Sequence, residues 1–346
     1  MKRDYSLDFL RVVACILVIV IHVANVYCRA FTSIEQVNYV GSVIFNAIAR
    51  ISVPVFFMIS GALLIKDTNF DMKKYLKRIW RLLFALIIWN IIYFIFNRFY
   101  LGSNVELSKT FIQSFFEPTK RHLWFMYAII GIYMVLPFIQ SMCKNLSKKE
   151  EDLFMGLWVF FVGILYIIKL WLKVEVNYPM PIIQGTYYLG YFVIGHFLYK
   201  RVNDIKEPKK LNKYLAIIPI VCFSAVILYT CNKSFEYNKY YNLLFAYRSI
   251  FYMLASSSIF LLFTINKDKF KELKLITSIS SLSFGIYLIH PIFLNIITEN
   301  IAITEQLSYI FIPIYTLVIF ILSYISCLII KKIPLLNRIL GWERGY

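Results

Sequence analysis

An all-α membrane bundle of about ten transmembrane helices, with both termini in the cytoplasm, is the fold this 346-residue sequence predicts. Three observations predict it. Hydrophobic residues make up 60% of the chain against 16% charged, too apolar a balance for a surface that faces water. The apolar residues fall in runs of roughly 18 to 25, the length that about 30 Å of hydrocarbon requires at about 1.5 Å per residue. Lysine and arginine alternate between rich and poor loops along the chain.

The first run is Phe9 to Tyr27, followed by Val43 to Ile65, Trp80 to Phe99, Leu123 to Met142 and Leu153 to Leu172. The sixth, Ile182 to Tyr199, is diluted by Gly185, Gly190 and Gly195. Tyr214 to Cys231, Leu244 to Ile265, Ile276 to Ile297 and Tyr309 to Ile330 complete the set. With the amino terminus inside, the inner segments carry 25 of the 37 lysines and arginines and the outer loops 8. That bias orients the bundle. The net charge of +18 is spread over inner loops that face anionic lipid, which argues against a nucleic-acid surface.

Residues 1–346 read as a single membrane domain, without a low-complexity linker or an internal repeat. The first run has no small-residue cleavage site, so a removed signal peptide is not expected. The six cysteines show no metal or redox spacing, and no metal is expected. The longest outer connections, 31–41, 100–121 and 232–243, are too short to fold separately and can roof a cavity. Chemistry therefore belongs inside the bundle or at its mouths.

Ionisable groups at membrane depth are costly and usually face a watery cavity. Asp8, Arg11 and His22 share one stripe of the first helix, and Arg11 lies near its cytoplasmic mouth. His22 is about 16 Å further along the axis, where an imidazole suits a base taking a proton from a hydroxyl. The bland alternative is a histidine bonded to a neighbouring helix. Asp8 and Arg11 read either as an interfacial ion pair or as a device that turns the arginine toward a phosphate.

Arg78 and Arg81 share a face at the cytoplasmic start of the third helix, and paired guanidiniums match phosphate oxygens. Lipid-headgroup binding is the alternative. In the second run, Pro54 is expected to kink the helix, and the small residues Ser60 and Gly61 admit either another backbone or a slender chain. His122 with Trp124, and Tyr287 with His290, are further polar pairs toward the outer face. His196 is given no role.

Taken together these residues resemble acyltransferase family 3, the integral membrane acyltransferases that modify envelope polysaccharides and peptidoglycan. Arg11 and His22 meet the pattern of a basic residue, ten intervening positions and a histidine, while Arg78 and Arg81 meet that of two arginines separated by two residues. The runs from Ser52 to Gly61, His122 to Phe125 and Ser283 to Pro291 also look like family segments. Among the branches, the enterobacterial common antigen O-acetyltransferases look most similar, and the membrane part of a vancomycin-resistance serine racemase is similar too.

The resemblance implies an acetyl-CoA donor bound from the cytoplasm and a hydroxyl acceptor on an envelope glycan or lipid-linked sugar beyond the membrane. It implies that His22 is catalytic, as general base or transient acyl carrier. Arg78 and Arg81 would hold the donor phosphates, Arg11 and Ser60 would support the donor channel, and His122, Trp124, Tyr287 and His290 would line the acceptor side. The implied location is the bacterial cytoplasmic membrane, in contact with its lipids. Some relatives carry an extracytoplasmic hydrolase-like domain that this sequence lacks, so delivery would be completed by the membrane domain or a partner. No acidic partner for His22 is evident, since Asn25 is its polar neighbour and Glu35 and Glu117 lie in outer loops. The competing class is a transporter or flippase, in which the same stripe would be a proton or substrate path. Inverted repeats are expected there, and none is visible.

Overall fold

The computed structural model describes residues 3–65, 71–102, 117–172, 187–205, 207–333 and 336–340, and every regular element among them is helical. Most of the outer connection 100–121, and positions 182–186 of the sixth apolar run, lie outside the described residues. The helices are α1 (Tyr5–Arg29), α2 (Gln36–Ala49), α3 (Ser52–Leu64), α4 (Met72–Phe99), α5 (Trp124–Asn145) and α6 (Lys148–Trp158). A π-helical turn, Val159–Ile164, joins α6 to α7 (Leu165–Leu172). Then come α8 (Tyr187–Arg201), α9 (Pro208–Glu236), α10 (Ile250–Ile265), α11 (Lys274–Asn300) and α12 (Ser308–Lys332).

Among the described residues, nine helical stretches are long and apolar enough to cross a membrane, with α2 and α3 counted as one and α6 and α7 as another. The described part of the sixth run, α8, adds 15 residues. Contacts between ends agree with alternating crossings. Tyr199 at the end of α8 donates to Asp4 before α1 (2.7 Å), and Tyr5 donates to Glu272 before α11 (3.1 Å). At the opposite end Tyr39 of α2 bonds Ser234 of α9, and Asn300 of α11 donates to Tyr100 after α4 (3.0 Å).

The second crossing departs from the expected single kinked helix. It starts at Gln36, seven residues before the apolar run, and breaks at Arg50–Ile51 rather than at Pro54. Pro54 falls in the first turn of α3, where its missing N–H has no helical partner to lose. Below it α3 and α8 touch backbone to backbone: a Cβ on Gly61 would stand 1.7 Å from the Phe192 carbonyl oxygen, and one on Gly195 would stand 2.3 Å from that of Met58. The backbone that Gly61 admits is thus that of α8. In a membrane such close packing replaces a hydrophobic drive between helices.

α1 runs through the middle, against α2, α3, α11 and α12. Its residues Val23, Ala24, Tyr27 and Cys28 are fully buried, whereas Leu317, Ile321, Ile325 and Ile329 face outward along α12 as a lipid-contacting stripe. At the carboxyl end, the turn Leu336–Leu340 tucks inward so that the Ile339 carbonyl accepts from the indole N–H of Trp89 on α4 (2.9 Å).

Candidate active site

Two regions of the bundle interior hold the residues singled out above. At the end assigned to the cytoplasm, Arg11 is partly buried and makes no hydrogen bond or ion pair among the described residues. The expected pairing of Asp8 with Arg11 does not occur. Asp8 is gripped instead by Arg3 (Nε 2.6 Å, Nη2 3.2 Å) and accepts from Ser280 of α11 (2.6 Å). The chain ahead of α1, capped by Asp4, brings Arg3 back over the first turn and, among the described residues, leaves Arg11 without a counter-ion.

Lys73, Lys74, Lys77, Arg78 and Arg81 crowd the first turns of α4, and the arginines are partly exposed. Cations here oppose the positive end of the helix dipole, so the site favours bound anions. Asp71 caps the helix, and the Lys74 amide and ammonium hold its carboxyl below the usual range. Ser60 lies partly exposed on α3, and its hydroxyl donates to the Phe56 carbonyl (2.8 Å), which leaves its lone pairs available.

Deeper in the bundle, three histidines from separate elements converge. His22 on α1 lies 5.0 Å from His290 on α11 and 6.4 Å from His122 in the turn before α5, ring centre to ring centre. His122 and His290 are 5.8 Å apart. His22 is partly exposed and has no partner among the described residues, while the other two are buried. His290 Nδ1 is 3.3 Å from the Ile286 carbonyl. A carbonyl only accepts, so Nδ1 carries the proton and Nε2 presents its lone pair; that Nε2 is buried without a partner, as is Nε2 of His122.

Tyrosines frame the cluster. The Tyr287 hydroxyl donates to the His122 carbonyl, and its ring is 5.6 Å from the imidazole. Tyr93 of α4 stands edge-on to His122 at 4.9 Å, anchored by its hydroxyl on the Leu288 carbonyl (2.6 Å). Trp124 stacks on Tyr188 at 4.8 Å, and Tyr247 lies 6.0 Å from the same indole.

The structure thus brings His22, His122, Tyr287 and His290 into one group, with Trp124 beside it and Arg11 on the same α1 stripe. Sequence reasoning missed Tyr93 and Arg50. Neither has a signal beyond its place within or beside an apolar run. Glu35 and Glu117 are exposed, so neither serves His22 as an acid partner. Among the described residues no group of His, Cys, Asp or Glu is arranged to hold a metal ion. A partly exposed imidazole without a hydrogen-bond partner among the described residues and flanked by further imidazoles can accept and pass a proton.

No curated protein and no solved structure matches the chain. The family model of the acyltransferase domain called acyltransferase 3 matches residues 4–331, from the Asp4 cap to the end of α12, and therefore includes every site residue described above. The chain is a multi-pass membrane protein belonging to the acyltransferase 3 family.

Proposed function

We propose that this protein is a membrane O-acyltransferase of the bacterial cytoplasmic membrane, moving an acetyl group from acetyl-CoA to a hydroxyl of a cell-envelope polysaccharide or related glycan. The observation that carries the reading is the position of His22. It is an unpartnered, partly exposed imidazole inside the bundle, on the stripe that begins with an unpaired arginine at the donor end. Arg11, Arg78 and Arg81 suit the phosphates of CoA, Ser60 lies at the same end, and the pantetheine arm carries the thioester inward toward His22.

In the simplest sequence His22 takes the acceptor hydroxyl proton as that oxygen attacks the thioester carbonyl. The carbon–sulfur bond then breaks, and the departing thiolate takes the proton back from the imidazolium. If His22 first carries the acetyl group itself, the thiolate leaves before the acceptor attacks. His122, Trp124, Tyr287 and His290 then face the acceptor. Extracytoplasmic delivery is completed by the bundle or by a partner protein.

His22→Ala should bind CoA as the native protein does yet lose glycan acetylation, with transfer falling by about 100-fold or more. The measurement is mass spectrometry of envelope glycans, read for the gain of one acetyl mass, together with CoA affinity on protein purified in detergent. Substantial remaining transfer would remove His22 from the chemistry. An added mass of another size would identify a different acyl donor.

A further inference from the structure

Arg50 sits at the break between α2 and α3, the fifteenth of the 29 residues in that crossing. Its Nε donates to the side-chain oxygen of Asn46 (3.0 Å) and its Nη1 to the Phe245 carbonyl (2.9 Å). A guanidinium has five N–H donors, so three are left. Among the described residues no carboxylate neutralises it. Arg3–Asp8, Lys74–Asp71, Lys148–Asp204, Lys210–Glu207 and the pairs of Glu151 and Asp152 lie toward one end of the bundle, and Lys233–Glu236 toward the other. A guanidinium held at mid-crossing without a counter-ion calls for an anion that arrives from elsewhere.

Two features place that anion on the acceptor side of His22. Asn46 donates to Asn25 (2.8 Å), which lies one turn beyond His22 toward the outer end of α1, so a hydrogen-bonded chain links Arg50 to the catalytic helix on its outward side. The guanidinium carbon also lies 4.7 Å from the Phe245 ring centre and 5.8 Å from that of Tyr247. Tyr247 continues into Trp124 and Tyr188, and all three of these rings are partly exposed. Flat aromatic faces receive the C–H face of a sugar ring, and a guanidinium beside them receives an oxyanion bidentately.

We propose that Arg50, with Tyr247, Trp124 and Tyr188 beside it, forms an acceptor subsite for a sugar that bears an oxyanion, either its own carboxylate or the phosphate linking it to a lipid. The subsite deepens the acyltransfer reading and depends on it only in that His22 acts on the sugar held there. The acceptor is then an acidic glycan unit or a sugar phosphate rather than a neutral saccharide. The guanidinium orients the sugar through its charge and takes no part in bond making.

The test uses the full-length protein in detergent with CoA saturating the donor site, and titrates glucuronate, glucose 1-phosphate and glucose. At least one anionic sugar should bind about tenfold or more tightly than glucose. Arg50→Gln should abolish that preference, and Arg50→Lys should retain part of it. Which anionic sugar is preferred identifies the source of the oxyanion. A second measurement needs no variant: the preferred anionic sugar should shield Arg50 of the native protein from phenylglyoxal, read by peptide mass. Equal binding of glucose, no binding of either anionic sugar, survival of the preference in Arg50→Gln, or unshielded Arg50 would each overturn the subsite. CoA affinity and the His22→Ala result are read separately, so acyl transfer and the acidic acceptor can fail independently.

Discussion

The carboxylates at the end assigned to the cytoplasm and the bases in the middle of this bundle are treated in opposite ways. At the end, Glu151 is buried to 1% exposure and bonded by Lys200 (2.9 Å) and by Arg201 (2.6 Å), which ties α6 to α8. Arg201 also reaches Asp152, and Asp8 is closed off by Arg3 and Ser280. In the middle, among the described residues, Arg50 has no carboxylate, and His122 and His290 each leave a ring nitrogen buried without a hydrogen-bond partner. Satisfied groups hold helices in register, whereas unsatisfied ones keep free energy available for a ligand or a reaction. The contrast separates architecture from chemistry by a single criterion, whether the protein supplies its own counter-group.

The sharpest way to break that contrast is to alter the middle and look for a structural effect. His290→Phe fills the same space but removes the free Nε2 next to His22. Transfer should fall by roughly 100-fold, while the unfolding midpoint in detergent falls only slightly, because Nε2 has no protein partner and the bond lost is the 3.3 Å contact of Nδ1 with the Ile286 carbonyl of the same helix. A variant that unfolds early, yet turns over normally per folded molecule, would show His290 to be a packing residue.

The mirror experiment alters the end. Glu151→Gln keeps the shape but removes the charge that Lys200 and Arg201 share, and should cost about 1 to 3 kcal/mol of stability. That is less than a fully buried pair, because Lys200 is about half exposed. The midpoint should drop while CoA affinity and transfer per folded molecule remain as in the native protein. Loss of CoA binding would instead place this ion-pair group in the donor site.

Much of the fold was legible because the bilayer imposes simple rules. Run length gave ten crossings, nine of which the described helices reproduce, and the three-to-four spacing put Arg11 and His22 on one stripe of α1. What stayed hidden depends on contacts between distant segments. His22, His122 and His290 come from three elements, and no local pattern says that their rings meet. Asp8 pairs with Arg3 rather than Arg11 because the extended Asp4 ahead of the helix carries Arg3 back over the first turn. The break at Arg50 escaped notice for a related reason: Pro54 drew attention as the expected kink, although a proline in a first turn is readily accommodated. Residues proposed for the donor, spaced along single helices, were therefore easier to read than those proposed for the acceptor, which loops and helix breaks supply.

The smallest expected effect tests the same criterion at the surface. Lys148 and Asp204 pair at 2.8 Å between α6 and the turn after α8, with both side chains well exposed. Hydrogen bonding to Lys148 holds the Asp204 carboxyl below its ordinary value of 3.8. A carboxylate lowered in the folded state stabilises at pH values above its unfolded pKa, and that contribution disappears as the pH falls through the folded value. Asp204→Asn should therefore lower the unfolding midpoint slightly at neutral pH, with native and variant midpoints converging in acid below the usual carboxylate range. High salt should shrink the neutral-pH difference as well, since water and ions reach both partners. A large, salt-independent loss would mean that even this exposed pair is part of the architecture, and pairing alone would then grade structural importance without regard to burial.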